Sequence, residues 1–516
     1  MSEKAYDYND TIEQVCELLQ TATTPEAINE LSAGFNRLSQ DLTPPLFLFL
    51  RVDGPFLEIF EAILTNISFS ALFSLLAAPD NRLIVSVVEL TEKLLEPVTW
   101  DMIHEKFENF ICLGLDHPHT KVKILVLNQF LRCNLLSGKF NPNYAPSIWE
   151  CLIGDSNSNH VNLSLNVLIH LSSYKNCAKF IYTEESLAVI HDILAMDTSH
   201  RFRVYDIVAN TIINSEDATS IFEKNDILSK FASEFKSNDS LIIVNALELL
   251  PKMTQNKTAA DYFISQNILD LLSDFIKDPE ILGVKYDFLR SFSLKTFSKL
   301  INSKGLDFIS ISNKYSFINT LSKHLDQSSD ITLRITSITC LGILALNSDF
   351  LKHLDTEYEI LDQFLQILQS ATGDVKLESL RTFSCILEKN PPIDTKVDEI
   401  NQKLFKKCFA FLLKTIINNI EDQAIASFSV IQKFILYTWS HNIVSQSQSF
   451  LSFLVEKSDF SLTLQDLKFS VITVITKNEK FLESIPEPFS GKLLLAANKN
   501  TKIESDAIPS VATLTI

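Results

Sequence analysis

Apolar residues along this chain fall at three- and four-residue steps in one segment after another. Val122/Leu125/Val126/Phe130, Val161/Leu165/Leu168, Val204/Ile207/Val208/Ile212, Leu289/Phe292/Leu300, Ile335/Ile338/Leu341, Leu380/Phe383/Leu387 and Leu464/Leu467/Val471 each trace one face of a helix. Several of these segments are apolar on a second face too, as Ile124, Leu127 and Leu131 show. A helix apolar on two sides is sandwiched between neighbours.

Each such helix opens on an acidic or polar turn, and a short polar break leads to a second helical stretch. The second stretches read as variants of one another: 179–190, 221–228, 262–269, 308–317 and 350–361, each with an aromatic or Ile pair, then polar residues, then an apolar anchor. The unit returns about every 36 to 48 residues, roughly the spacing of HEAT and armadillo arrays. Such a unit cannot bury its apolar face alone. The pattern therefore predicts an all-α, HEAT/armadillo-like helical-repeat solenoid, curved into a C, that offers a surface rather than a pocket.

The expected organisation is an N-terminal helical cap over 1–60, the repeat array over 61–498 and a mobile tail over 499–516, where helix periodicity is lost. The cap contains helix patterns around Thr11–Thr21 and Pro25–Leu38. Residues 388–403, with Pro391, Pro392 and several charges, read as an exposed loop or a break in the stack.

Composition narrows the chemistry. Only 10 of 516 residues are Gly, and no two lie close enough to form a G-x-G element, so phosphate-cradling loops are excluded. A hydrophobic share of 46% raises the question of a membrane. The uncharged run Ala62 to Pro79 contains Asn66, Ser68, Ser70 and Ser74 and ends in proline, which does not suit a span of about 20 mostly apolar residues. Met1-Ser-Glu-Lys-Ala-Tyr-Asp has neither a basic start nor an apolar core, so no secretory signal is expected; the expected location is the cytoplasm, with nuclear access left open.

Eight cysteines without a C-x-x-C pair argue against zinc and against a disulfide framework, and are read as small core residues. His117-Pro118-His119 is the close histidine pair, read as a turn before a helix rather than as metal ligands. Glu184/Glu185 and Glu357/Glu359 sit in polar breaks with no nucleophile motif nearby, so no enzyme, metal or cofactor is expected. The net charge of −18, with no basic stripe interleaved with aromatics, disfavours nucleic acid as a ligand. An acidic helical array suits a basic protein partner, and the same excess charge keeps a large apolar chain soluble. Both readings stand.

Residues 114–134 open with Gly-Leu-Asp-His-Pro-His-Thr-Lys-Val-Lys-Ile-Leu, which resembles the G-L-x-H-P-x-x-x-V-K-I-L opening of a repeat in the proteasome non-ATPase regulatory subunit 5 family. Arg201-Phe-Arg-Val-Tyr-Asp-Ile-Val208 is similar to that family's R-[FY]-R-V-Y segment, and Ile343-Leu-Ala-Leu-Asn-Ser-Asp349 to its G-I-L-x-S-N element. The Pro391-Pro392 stretch and Trp439 fall where the family has comparable features, so the likeness runs from about residue 70 to 500. The resemblance implies a dedicated chaperone for assembly of the 26S proteasome regulatory particle, related to the fungal Hsm-type chaperone. Such a chaperone grips the C-terminal domain of a base ATPase subunit, hinders early docking on the core particle and acts as a monomer until it binds.

The helix opened by the acidic turn lines the inner face of such arrays, so its polar positions become partner-binding candidates: Lys123, Asn128, Arg132, Arg201, Arg203 and Tyr205. Arg203 and Tyr205 have a second reading as bridges between repeats. An alternative for the whole chain is an armadillo-type nuclear-import adaptor or another protein-binding adaptor. Trp100, Trp149 and Trp439 are too few and too irregular for the Trp/Asn ladder an import adaptor would carry.

Overall fold

The computed structural model describes residues 8–21, 24–42, 55–215, 217–277, 287–326, 330–356, 359–387, 394–418, 420–456 and 460–506. The described residues are 80% helical, with no strand among them. It divides into two compact units, Met1–Phe231 and Ala232–Ile516.

In the first unit, helices Pro25–Asp41, Asn81–Leu95, Thr120–Phe130, Asn159–Ser172 and Thr198–Asn214 pack each on the next in a row. In the second, Ser240–Met253, Asp287–Lys299, Ile331–Ala345, Gly373–Ile386, Glu421–Phe434, Leu462–Lys477 and Phe489–Asp506 do the same. Inside each row a helix has a neighbour before and after it, which is why these helices are apolar on two sides. Small residues let the axes approach: a Cβ on Gly342 would lie 3.2 Å from Thr382 Cγ2 on the next row helix. In helix Asn159–Ser172 Val167, Leu168 and Leu171 are fully buried, whereas Leu165, expected on the core face, is half-buried.

The acidic turns are helix N-caps. Asp80 accepts from the backbone N–H groups of Arg82 at 2.8 Å and Leu83 at 2.9 Å, and Asp330 from Thr332 at 2.7 Å. Asp197 and Asp239 cap their helices in the same way. Each satisfies donors that a helix start leaves orphaned, a contribution of about 1 kcal/mol.

The second half of the repeat differs from the sequence reading, because it is two short helices rather than one. Ala218–Lys224 is followed by Ile227–Glu234, Lys257–Ser265 by Ile268–Lys277, Phe308–Tyr315 by Phe317–Leu325, and Ser348–Thr356 by Ile360–Ser370. The divide is a residue with left-handed backbone: Asp226 (φ 55°), Asn267 (57°), Ser316 (53°) and Glu359 (48°). Two buried apolar residues follow each one directly, for example Ile268-Leu269 and Ile360-Leu361, and they anchor the next helix. With the row helix included, the repeat has three helices, as in armadillo arrays. Asp and Asn tolerate the left-handed region because their short side chains bond locally, so the polar residues seen in sequence are a turn.

Residues 388–403 also depart from expectation. Residues 388–393, including Pro391-Pro392, lie outside the described residues, but a helix runs from Thr395 to Ile417. Asp394 caps it, and Val397, Ile400, Leu404 and Phe405 bury its inner face. Of the charges that suggested a loop, Lys403 faces outward and pairs with Asp355 at 2.8 Å, and one turn further on Lys407 pairs with Asp362 at 2.7 Å. At 23 residues, this helix stands where other repeats place two short ones: it packs on Ser348–Thr356 and Ile360–Ser370 on one side and on Glu421–Phe434 and Thr438–Gln446 on the other.

At the ends, the helices expected near the N-terminus occupy Tyr8–Thr21 and Pro25–Asp41, and the latter is the first member of the row. Helix Phe489–Asp506 continues past Asn498, while residues 507–516 of the expected tail lie outside the described residues. The uncharged run Ala62 to Pro79 is divided between helices Pro55–Asn66 and Phe69–Leu75, with Ser68 capping the second. No helix among the described residues is long and apolar enough to cross a membrane.

Candidate protein-binding site

Row helices Pro25–Asp41, Asn81–Leu95 and Thr120–Phe130 frame an open groove of about 980 Å³ in the first unit. Its floor includes Ser39 and Gln40 from the first helix, Val85 from the second, and Asn128 and Gln129 from the third. Glu89, Glu92 and Glu96 stand one helical turn apart along one wall and are exposed.

The two cations that line the groove, Lys93 and Arg132, both bond to backbone. Lys93 Nζ donates to the Ser39 carbonyl near the end of the first helix. Arg132 donates to the carbonyls of Leu95 at 2.9 Å and Glu96 at 3.0 Å, and to that of Val98. Gln129 Oε1 also accepts from Arg132 at 3.1 Å, while Gln129 Nε2 donates to the Leu125 carbonyl at 3.1 Å. A helix end presents unpaired carbonyls and roughly half a negative charge, so each cation is neutralised by the helix end it closes. The glutamates keep their field toward solvent: Glu89 pairs with the exposed Lys121 at 3.3 Å, and Glu92 accepts from Asn128 Nδ2 at 3.3 Å. The groove is thus a line of acceptors suited to cationic groups and hydrogen-bond donors.

The same device recurs along both rows. His170 bonds the Cys133 carbonyl at 3.0 Å and Lys433 donates to that of Ser384, while Arg334, at the start of its row helix, instead donates to the Leu325 carbonyl at the end of short helix Phe317–Leu325, at 3.1 Å. Sequence reasoning missed this role, although the signal is visible: Lys93, Arg132, His170 and Lys433 each stand at the C-terminal end of their own row helix.

The sequence-predicted contact residues separate into two places. Asn128 and Arg132 lie in the groove; Lys123 is half-buried on the same helix, away from the lining. Arg201 is half-buried and donates to the Met196 carbonyl at 3.1 Å and to Thr198 Oγ1 at 3.5 Å. Arg203 and Tyr205 need correction, because the fold takes both out of a partner's reach. Arg203 is 9% exposed and donates to the Leu152 carbonyl at 2.6 Å, the Gly154 carbonyl at 3.1 Å and Ser156 Oγ at 2.7 Å, tying its helix to the preceding repeat. Burial pulls its pKa below the usual arginine value, against the opposing pull of Asp197 and Asp155. Tyr205 is fully buried, edge-on to Phe231 at 5.1 Å and Phe202 at 5.4 Å.

Other candidate chemistry resolves into packing. His117 bonds the Leu76 carbonyl at 3.0 Å and accepts from the His119 backbone N–H at 3.0 Å, while His119 caps helix Thr120–Phe130. Among the described residues, no group of three or more His, Cys, Asp or Glu could hold a metal ion. Trp149 donates to the Ile181 carbonyl at 3.1 Å, and Trp439 to Asp398 at 2.8 Å. Five of the cysteines are buried as expected, but Cys112 and Cys385 are exposed and Cys16 is intermediate.

Residues 55–489 match the family described as Proteasome non-ATPase 26S subunit. The chain is similar to the 26S proteasome non-ATPase regulatory subunit 5 of Homo sapiens, at 20% identity over 437 residues, covering 81% of this chain and 85% of that one. The protein of the same name from Bos taurus is 19% identical over 434 residues, with the same coverage. Among solved structures, yeast importin-beta aligns with a TM-score of 0.57 at 11% identity, covering 96% of this chain and 67% of that one. Importin-beta crystallised with polyethylene glycol gives 0.51 at 12%, covering 95% and 69%. That likeness speaks to fold, and it places the chain in the HEAT/armadillo-like helical-repeat class.

Proposed function

We propose that this chain, which belongs to the Proteasome non-ATPase 26S subunit family, is an assembly chaperone for the base of the 26S proteasome regulatory particle. It binds the C-terminal domain of a base ATPase subunit and hinders premature docking on the core particle. The observation that carries this reading is the family match, which runs from residue 55 to 489 and so takes in the row helices between Pro25–Asp41 and Phe489–Asp506. The curated relatives are named as a non-ATPase regulatory subunit, which fits a protein that works by binding.

The acidic groove supports the reading physically. An exposed carboxylate wall on a rigid helical frame steers a basic surface and fixes its register without any chemical step. A grip that overlaps a surface needed later is released by competition between binding equilibria. On this reading the chain works in the cytoplasm and is a monomer before it meets its partner.

Affinity purification of the full chain, repeated with the isolated C-terminal domain of each base ATPase, tests the proposal. Recovery of base ATPases without core-particle subunits is the expected result. Recovery of import receptors, or of neither, overturns it.

A further inference from the structure

Lys403, Lys406, Lys407 and Lys414 all occupy exposed positions of helix Thr395–Ile417, yet the fold treats them unequally. Lys403 and Lys407 are neutralised by Asp355 and Asp362 of the two preceding short helices. Lys406 and Lys414 have no carboxylate partner among the described residues. Acidic residues outnumber basic ones by 63 to 45 in this chain, so the open pair does not reflect a shortage of carboxylates. A third lysine adds to the field: on row helix Gly373–Ile386, Lys376 Nζ lies 4.9 Å from the centroid of the Phe411 ring. Burial, and then the charge of Lys414, pull its pKa below the usual lysine value, so the two ammonium groups repel each other.

Phe409, Ala410 and Leu413 fall between Lys406 and Lys414 on the same helix, and there an open groove of about 320 Å³ separates it from the start of helix Gln448–Val455. The floor is apolar. Phe409 and Leu413 are buried, Phe409 meets Phe450 edge-on at 5.4 Å, and Ile417 is 55% exposed at the C-terminal end of the helix. Ser447 and Ser449 supply hydroxyls from the other side. All the lining residues are described ones and belong to the second unit, so the groove is one continuous surface. Ligand pockets run from about 300 to 1,000 Å³, so this one takes a side chain or two of a partner rather than a whole cofactor.

The helical rise from Lys406 to Lys414 is about 12 Å. An extended chain advances about 3.3 Å per residue and turns every second side chain to the same face, so carboxylates four positions apart in it lie about 13 Å from each other. The residue midway between them points the same way. We propose that the groove binds an extended acidic segment of a partner protein with the pattern Glu-x-Phe-x-Glu, its glutamates on Lys406 and Lys414 and its phenylalanine on the apolar floor between them. Charge complementarity selects this occupant, because a basic segment is repelled by the same lysines. Burial of the ring supplies affinity, while the two ion pairs set register and direction. The inference goes beyond the chaperone reading and does not rest on it: it gives the second unit a site whose charge is opposite in sign to that of the acidic groove.

The probe is a fluorescein-labelled peptide amide, Ser-Glu-Ser-Phe-Ser-Glu-Ser, titrated by fluorescence anisotropy against the full chain. Saturable binding that weakens with salt is the expected result. Replacing both glutamates of the peptide by glutamine, or its phenylalanine by serine, should each weaken binding roughly tenfold, and these controls leave the protein's fold untouched. On the protein, Lys406→Gln/Lys414→Gln should weaken the glutamate peptide roughly tenfold, with no change in the glutamine peptide or in the thermal transition. Ile417→Ser should cost about threefold, since one exposed side chain carries a fraction of the burial. No saturable binding up to about 1 mM peptide, equal binding of the glutamate and glutamine peptides, or wild-type affinity in the lysine variant overturns the proposal. A dimer that forms as the concentration rises and is lost in the lysine variant assigns the groove to a second copy of the chain, and overturns it too. None of these results bears on recovery of base ATPases by the full chain, so the chaperone reading stands or falls separately.

Discussion

The Arg132 guanidinium donates a 2.9 Å hydrogen bond to the Leu95 carbonyl, so one row helix closes the open end of the row helix before it. Two further carbonyls, those of Glu96 and Val98, share the same fork. Arg132→Met leaves these acceptors without their charged donor and is expected to lower stability by about 1–3 kcal/mol. Arg132→Lys recovers only part, because an ammonium lacks the planar fork. Denaturant unfolding of both variants checks this order, and equal stability of wild type and Arg132→Met refutes it.

Two glycines should respond to alanine with opposite sign. A Cβ at Gly305 would lie 2.7 Å from the Asn256 and Thr254 carbonyl oxygens, which are backbone and cannot swing aside. Gly305→Ala is expected to cost about 1–3 kcal/mol. Gly491 lies in helix Phe489–Asp506, where the nearest atom is Glu487 Oε2 at 3.5 Å. Gly491→Ala should stabilise by up to about 1 kcal/mol through helix propensity. Thermal melts of the two variants on either side of the wild type confirm the contrast.

Thiol labelling in the native state should follow exposure. Burial pushes Cys133 and Cys408 up to about 12 and Cys151 and Cys177 up to about 11, so these stay protonated and shielded near pH 8. Cys385 and Cys112 are exposed and should react first. Mass spectrometry after timed alkylation reads the order; Cys133 or Cys408 labelled as fast as Cys385 contradicts the packing.

Acid should loosen the second unit through named carboxylates. A hydrogen bond from Lys352 holds Asp394 below the usual aspartate range, and one from Lys407 does the same for Asp362. With the folded pKa below the unfolded value of about 3.9, their contribution is complete above that value and is lost as pH falls through the folded pKa. Asp394→Asn keeps the cap on helix Thr395–Ile417 and removes the titration. Its acid unfolding curve should be flatter below about pH 4 than that of the wild type, and an unchanged curve excludes this assignment.

The row helices were legible because a helix covered on both sides must be apolar on both sides, and the spacing of Val122, Leu125 and Val126 records that directly. The division of the second half was not, because left-handed backbone at Ser316 and Glu359 leaves little mark in residue type; Asp226 and Asn267 are the two where it could have been read. Charge misled at 395–403, since Lys403, which pairs across to Asp355, resembles a loop lysine until its partner is known. At the groove, polarity suggested Arg132 and Arg203 alike. Only the fold shows that the first lines an open groove and the second is sealed between repeats.

Helix Thr395–Ile417 bears on how the second unit comes apart. In a linear stack each repeat is held mainly by its immediate neighbours, so melting can start at an end and travel inward like a zip. Every pair of short helices offers a joint where that zip can pause or slip. A continuous 23-residue rod touching four helices of its surroundings has no such joint. It must release whole or hold whole, and so acts as a ratchet tooth against unravelling from the C-terminal side.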